Sequence, residues 1–449
     1  MITTICIWIV KIATWLCHVF KREGSVFGGS LASKIDKKIL HKIKYPNTVI
    51  AVTGSSGKGS TVQMIEHILS TAGKKIVWNR SESNVTNAII TTVLNNTSGL
   101  SHRVKADILL LEVDERHLKG LMKKGTITHL LITNITRDQP SRNISPEVIF
   151  NIIKDATDEK MHLIINADDP LLNRFKYIHK GKITTYGIDK NNYSLLTTPG
   201  YAIDHAYCPN CHTKLKYDAY HYGHLGLYKC PKCDFARGKV DYEAYDIDLN
   251  TPSFKIDNQK ISLNKNIFFA VYYTLASYTV CKVLNLDEKK LVEILNNHMI
   301  APRRGNNIYK LNDRKIEILE PKNENSLSYI QSLIYIASQK GTKSIVFGFE
   351  KVSRRYECKD LSWLWDINFE LLKDESIDKI FCFGIYKYDI ATRLYYAGIS
   401  EDKILYTTEQ SLIDDVESKS TGNIYALVGE DIKAKIRDMV KEESYEKEN

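Results

Sequence analysis

A chain of 449 residues, 43% hydrophobic and 26% charged, has enough apolar material for two or three packed domains, which excludes a disordered protein. Its formal net charge of +9 is scattered, not gathered into a stripe, so it suits anionic ligands or a membrane surface and argues against a nucleic-acid groove. Nine cysteines, four of them in two close pairs, argue for a metal site in a reducing compartment over a disulfide framework.

The first stretch, Ile2 to Phe20, is apolar but carries Lys11 and His18, lacks a small-residue cleavage site and runs into Lys21-Arg22, which argues against a secretory signal. A Lys near the middle of a spanning helix costs about 2.5–3.5 kcal/mol. A helix lying on a membrane or partner is therefore preferred to one that crosses, and a helix packed on the body is the third reading. Thr48 to Val52 is a β-branched run that enters a Gly-rich turn and then a helical pattern over 60–72, a strand–loop–helix unit. Apolar runs at 108–111, 129–133 and 162–165, with a helix near 146–157, continue the alternation and imply a parallel sheet covered on both faces. From 207 to 241 the texture changes to Cys, Tyr, His, Lys and Gly, marking an inserted module, and a long buried helix follows at 266–286. Beyond the turn around Arg303-Arg304-Gly305, strands near 315–319, 344–349 and 379–383 alternate with helices at 326–339 and 388–397. The expected domains are a lead-in over 1–45, a central domain over 46–300 with the 207–241 insertion, and a C-terminal α/β domain over 301–449.

The loop Gly54-Ser55-Ser56-Gly57-Lys58-Gly59-Ser60-Thr61 has the physics of a phosphate cradle. Glycines let backbone N–H groups turn inward, the following helix directs its positive end at the anion, and Lys58 supplies charge. An ordinary Gly/Ser turn is the plain alternative, and the strand–turn–helix context favours the nucleotide reading. Glu112-Val113-Asp114-Glu115 ends a strand where an open α/β sheet faces its ligand crevice. Glu112 is a candidate magnesium ligand there, or the acids simply start a solvated helix. Asn134 to Gln139 follows another strand end and reads either as a nucleotide contact or as a polar capping loop. Cys208-x-x-Cys211 and Cys230-x-x-Cys233, eighteen residues apart, fit a closed tetrahedral zinc site with no position left for substrate, hence a structural one. The aromatic pair in Asp360-Leu-Ser-Trp363-Leu-Trp365-Asp366 suits local packing or an interface. Histidines show no clustering along the chain, and no Ser/His/Asp or Cys/His set is legible.

Taken together, these stretches resemble the Mur ligase family, and within it the branch with a MurT-type C-terminal domain that forms one subunit of lipid II isoglutaminyl synthase. The likeness rests on Gly24 to Leu40, the loop at 53–61, Leu111 to Glu115, Asn134 to Gln139, Asn166-Ala-Asp168-Asp169-Pro170, the four-cysteine ribbon, Arg304, Lys322-Asn323, Asp360 to Asp366 and Arg393 to Gly398. The resemblance implies a central P-loop ATPase domain with an inserted zinc ribbon and a C-terminal α/β domain that docks a GatD-like class I glutaminase. It implies ATP and magnesium use, with nucleotide contacts over Gly54 to Thr61, at Asn134 and at Arg304. Lys58, with magnesium on Ser60 and Glu112, would neutralise the transferring phosphoryl group. Asp360 would complete the partner's Cys–His pair as the third member of a triad. The implied reaction is phosphorylation of the D-Glu α-carboxylate of lipid II, followed by displacement with ammonia to give D-isoglutamine, in the cytoplasm at the inner face of the membrane.

The chain departs from the family pattern in places. Its loop reads G-K-G-S where Mur ligases usually have G-K-T-T, a form that looks like folylpolyglutamate synthase and moves the magnesium role to Ser60. The helix that usually carries N-x-x-N-A-L-A-A reads Ala270 to Ser277 without either asparagine, Arg303 replaces a Gly, Glu324 a Pro, and Glu357-Cys358 an Asp-Gly pair; Tyr386 stands where an Arg is common. A stand-alone amino-acid ligase and a non-catalytic nucleotide-binding scaffold are the alternatives. Asp360 has no purpose in the first.

Overall fold

A computed structural model describes the chain apart from residues 22–23, 80–83, 198–203, 299, 301–306, 354–355, 430–431, 434–435 and 438–449. It divides into two compact units, the first built from Met1–Thr136, Pro146–Thr197 and Asp204–Arg303, the second from Arg137–Ser145 and the chain from Arg304 onward.

The first unit is built on a nine-stranded sheet. Its strands are β1 (Thr48–Thr53), β2 (Ile76–Trp78), β3 (Ile108–Glu112), β4 (His129–Ile132), β5 (His162–Asn166) and β6 (Ile183–Ile188), then β9 (Tyr242–Asp248), β10 (Ser253–Ile256) and β11 (Gln259–Ser262); β7 (Lys216–Tyr222) and β8 (Leu225–Lys229) form a separate hairpin. The order is β11-β10-β9-β6-β5-β4-β1-β3-β2, and every pairing from β2 through β9 is parallel. The continuous apolar runs of β1, β3 and β5 are buried almost residue for residue, as expected for strands covered on both faces. To the expected parallel sheet, β10 and β11 add an antiparallel hairpin at one edge. Its two-residue turn, Asp257-Asn258, has φ of 48° and 62°, the left-handed pair that Asp and Asn tolerate and that matches strand twist.

Helices α1 (Ile2–Val19), α2 (Phe27–Ile35), α3 (Lys58–Thr71), α4 (Thr86–Asn95), α5 (Pro146–Ala156), α6 (Phe269–Val283) and α7 (Glu288–Asn297) complete this unit. Cys6, Ile7 and Val10 of α1 are fully buried in the same core cluster as Ala32 of α2 and Ile89, Ile90 and Val93 of α4. Helix α2 approaches α4 so closely at Gly29 that a Cβ there would lie 1.8 Å from the Asn87 carbonyl oxygen, while the Gly29 N–H donates to Thr91 Oγ1 at 2.8 Å. Only glycine allows that approach. The opposite face of α1 stays apolar but uncovered: Trp8, Ile12, Trp15 and Val19, at helical spacing, are each more than half exposed.

The second unit carries a six-stranded sheet of β12 (Asn307–Leu311), β13 (Arg314–Leu319), β14 (Lys343–Gly348), β15 (Ile377–Phe383), β16 (Ile404–Tyr406) and β17 (Asn423–Val428), in the order β12-β13-β17-β14-β15-β16. All pairs except β12–β13 are parallel. Helices α8 (Ser326–Ser338), α9 (Lys387–Tyr396) and α10 (Leu412–Lys419) connect them, and Ile318, Val346, Phe381 and Ala426 form its core.

Candidate active site

The register of the first sheet assembles one end of it. Strand β1 lies between β3 and β4, pairing Val52 with Glu112 and Thr53 with Ile132, so the loop after β1, the acids after β3 and Asn134 after β4 emerge side by side at the carboxyl ends. Gly54 has φ of 124°, and a Cβ there would meet Thr133 Oγ1 at 2.4 Å. Asn134 braces the loop through both ends of its amide, accepting from the Ser56 N–H at 3.1 Å and donating to the Ser56 carbonyl at 3.1 Å. The Ser55 N–H donates to the Asn134 carbonyl at 2.8 Å, and the Gly54 N–H to Glu115 Oε1 at 3.1 Å. Residues 54–56 therefore shape the loop with their N–H groups already engaged. The groups that face an anion are those of Gly57, Lys58, Gly59 and Ser60, which the start of any helix leaves without carbonyl partners.

Lys58 Nζ donates to Glu115 Oε1 at 2.8 Å and to the Gly54 carbonyl, and both members of the ion pair are nearly buried. Burial works against its charge, but Glu115, Asp114 and Glu112 outweigh it and hold the Lys58 pKa above its usual range. Glu112 is also buried and takes Asn84 Nδ2 at 3.2 Å. Glu115, grouped with its neighbours in the sequence, thus proves to be the carboxylate on Lys58, while Glu112 closes the end of β3. The Thr61 hydroxyl is committed to the Gly57 carbonyl at 2.8 Å; Ser60 is half-buried on the first turn of α3. A hydroxyl and a buried carboxylate beside a charged lysine are the donor chemistry that a phosphate-bound magnesium ion takes. Arg304 lies outside the described residues.

Helix α6 shows where the absent asparagines lead. Tyr272 donates to Asp168 Oδ2 at 2.9 Å, Tyr273 to Asn264 Oδ1, and Ser277 to the Tyr273 carbonyl at 2.7 Å. These three side chains turn to internal bonding, while the buried Thr274 hydroxyl has no partner among the described residues, and the ring of Phe269 covers Gly57. The insertion folds around the β7–β8 hairpin, with Leu215, Tyr228 and Phe235 packed about the four cysteines. Sγ atoms of Cys208 and Cys233 are 3.5 Å apart and those of Cys211 and Cys230 3.4 Å, while backbone N–H groups of Asn210 and Lys232 donate to Cys208 and Cys230 Sγ at 3.4 Å. That spacing and those donors fit four thiolates around one tetrahedral zinc.

The stretch after β4 serves two ends. Its first residues hold the phosphate loop; the later ones, Arg137 to Ser145, belong to the second unit. There Asp138 takes Lys322 Nζ at 2.6 Å and Asn325 Nδ2 at 2.9 Å, and the Gln139 N–H donates to the Glu324 carbonyl at 2.8 Å. Glu324 is buried with φ of 60°, and burial raises its pKa despite the hydrogen bond from the Tyr356 hydroxyl. Arg137 pairs with both oxygens of Asp366 at 3.0 and 2.9 Å. Asp360 is exposed but fixed: Oδ1 accepts from the Ser362 N–H at 2.9 Å and Oδ2 from Ser141 Oγ at 3.1 Å. Those bonds, the Ser362 backbone first, keep its carboxyl below the usual range and therefore ionised. The two tryptophans part company: Trp363 is buried against Tyr329 and Phe349, whereas Trp365 is half exposed beside Tyr396, with the Arg393 guanidinium over its ring.

A strand–phosphate-loop–helix unit in a mostly parallel sheet, with an acid-paired lysine in its loop, is the architecture of a nucleotide-binding domain. Residues 52–206 match the family described as Mur ligase middle domain, and residues 323–429 the one described as MurT ligase C-terminal. The chain belongs to the Mur ligase family, whose members use ATP. A lipid II isoglutaminyl synthase (glutamine-hydrolyzing) subunit MurT from Staphylococcus aureus strain COL is 26% identical over 396 residues, 88% of this chain and 87% of that protein. One from Streptococcus pneumoniae strain R6 is 26% identical over 411 residues, 90% of each. Among solved structures, a pseudomurein peptide ligase type C from Methanothermus fervidus shares the fold with a TM-score of 0.65 at 21% identity, over 91% of this chain and 83% of that one. MurF from Acinetobacter baumannii follows at 0.64 and 15%, over 91% and 80%.

Proposed function

We propose that this chain is the ATP-dependent ligase subunit of a glutamine-hydrolysing lipid II isoglutaminyl synthase, acting in peptidoglycan synthesis. The near-complete coverage of MurT relatives and the MurT-type C-terminal domain support this reading. Lys58 and the N–H groups of residues 57–60 bind the phosphates of ATP, and Glu115 holds Lys58 extended along the cradle until they arrive. Ser60 and Glu112 would hold magnesium, which when bound offsets the charge on the transferring phosphoryl group. The γ-phosphoryl passes to the D-Glu α-carboxylate, and ammonia displaces phosphate from the acyl phosphate to leave the amide. Asp360 serves the other half-reaction: a fixed, ionised, exposed carboxylate is what an imidazole on a class I glutaminase partner needs to be oriented. Trp365, Tyr395 and Tyr396, all exposed, supply aromatic anchors for that partner. The uncovered stripe of α1 supports a peripheral position on the cytoplasmic membrane face, where lipid II presents its stem.

Asp360 carries this reading, because a stand-alone ligase has no use for it. In the complex reconstituted with its glutaminase, Asp360→Ala abolishes amidation of lipid II supported by glutamine while ammonium chloride still supports it. Equal rates with glutamine before and after the substitution overturn the triad assignment.

A further inference from the structure

Asp168 and Asp169, in the turn after β5, are both fully buried, yet their surroundings differ. Asp168 is saturated by Arg237 Nε at 2.9 Å, the Tyr272 hydroxyl at 2.9 Å and the Ile188 N–H at 2.9 Å. Asp169 accepts the N–H groups of Leu171 at 2.9 Å and Ile135 at 2.8 Å, and beyond them meets two histidines that the linear sequence keeps apart, His205 just before the insertion and His224 within it. His224 Nε2 stands 3.5 Å from Asp169 Oδ1, too long for a good hydrogen bond, and the His205 ring lies edge-on to that of His224 with centroids 5.1 Å apart. Each of the three residues brings one ligand atom within 4.8 Å of the other two. His224 is 1% exposed; its Nε2 and that of His205 are sealed from solvent, and neither has a hydrogen-bond partner. Folded interiors leave very few buried polar atoms unpaired, and here two converge on one carboxylate. A simple His–Asp pair accounts for one imidazole and leaves the other unexplained.

We infer that Asp169, His205 and His224 form a second divalent transition-metal site, separate from the four cysteines. Two imidazoles and a carboxylate are a zinc donor set that leaves a fourth coordination position. Its place gives it a purpose. Asp169 holds the Ile135 N–H, next to the Asn134 that braces Ser56, so a metal here ties the insertion to the strand end that supports the phosphate loop. Asp169 is then an oriented ligand, fixed by two backbone donors.

The test is metal stoichiometry on the full-length chain purified without chelators. Two zinc ions per chain are expected by mass spectrometry, falling to one in His205→Ala and to one in Cys211→Ser/Cys233→Ser. One zinc in the parent, unchanged in His205→Ala, overturns the site. His205 sits at the accessible side, so its loss spares the core, and circular dichroism checks that the variant is folded. Should the cysteine variant not fold, cobalt titration of the parent and His205→Ala decides alone. Thiolate-to-cobalt charge transfer reports only the cysteine site, so the site predicts a second cobalt equivalent that adds visible absorption without it, and that is lost in His205→Ala. Charge transfer that accounts for all the bound cobalt refutes it.

Discussion

Replacing Trp8 and Trp15 by serine should detach the protein from membranes without unfolding it. The two rings lie on one face of α1, 55% and 63% exposed, while the opposite face, with Cys6, Ile7 and Val10, is locked into the core. A helix held in that way can offer a bilayer only its free stripe. Tryptophan side chains bury up to about 250 Å², so the two expose about 300 Å² between them. An interfacial helix sinks one face by about 5–10 Å. If half of that area leaves lipid contact in the variant, the loss is about 3.8 kcal/mol at about 25 cal/mol/Å², between two and three orders of magnitude in partitioning. Flotation with vesicles containing anionic lipid reads this directly: the parent should rise with the vesicles, the double variant should stay below, and their melting temperatures should agree. A variant that floats like the parent refutes the reasoning, and a parent that resists alkaline carbonate extraction would mean that α1 spans instead.

The Lys58–Glu115 pair separates stability from catalysis. Lys58→Met should stop ATP turnover and, by leaving a buried carboxylate uncompensated, destabilise the fold by about 3–5 kcal/mol, whereas adding Glu115→Gln should restore the melting temperature but not turnover. Gly29→Ala should cost about 1–3 kcal/mol in chemical denaturation, because its methyl overlaps the Asn87 carbonyl; an unchanged midpoint would mean that α2 moves away freely. His162, bonded to Thr184 Oγ1 at 2.8 Å, is held to a pKa of about 4, by burial first and then by Lys182 and His129. The unfolded chain takes up that proton near 6.5 and the folded one near 4, so stability should fall as pH drops through this window. Thermal melts should show His162→Gln flattening the decline, and identical pH profiles would rule His162 out as its source.

The parts of this protein legible from sequence are those that local physics determines. The β-branched run at 48–52 and the glycines after it announce strand, turn and helix, and the paired cysteines announce their own cluster. The β10–β11 hairpin was within reach as well, since Asp257-Asn258 is a two-residue turn signal between alternating runs. What the chain hides is pairing across distance. Nothing local distinguishes Glu115 from Glu112 as the partner of Lys58, because that depends on how the helix turn after β3 re-aims successive acids. His205 and His224 look isolated until the insertion folds back on Asp169.

The divided course of the second unit bears on how the protein is made. Arg137–Ser145 leaves the ribosome well before Lys322, Glu324 and Asn325, the groups that Asp138 and Gln139 bind. During synthesis that segment must wait, its polar groups in water, while nearly two hundred further residues are added. A fragment beginning at Arg304 would lack Asp138 altogether and leave Lys322 and Asn325 without their carboxylate. The C-terminal third is therefore a complementation unit: supplied separately, it should recover its native stability only when a peptide spanning 137–145 is added back.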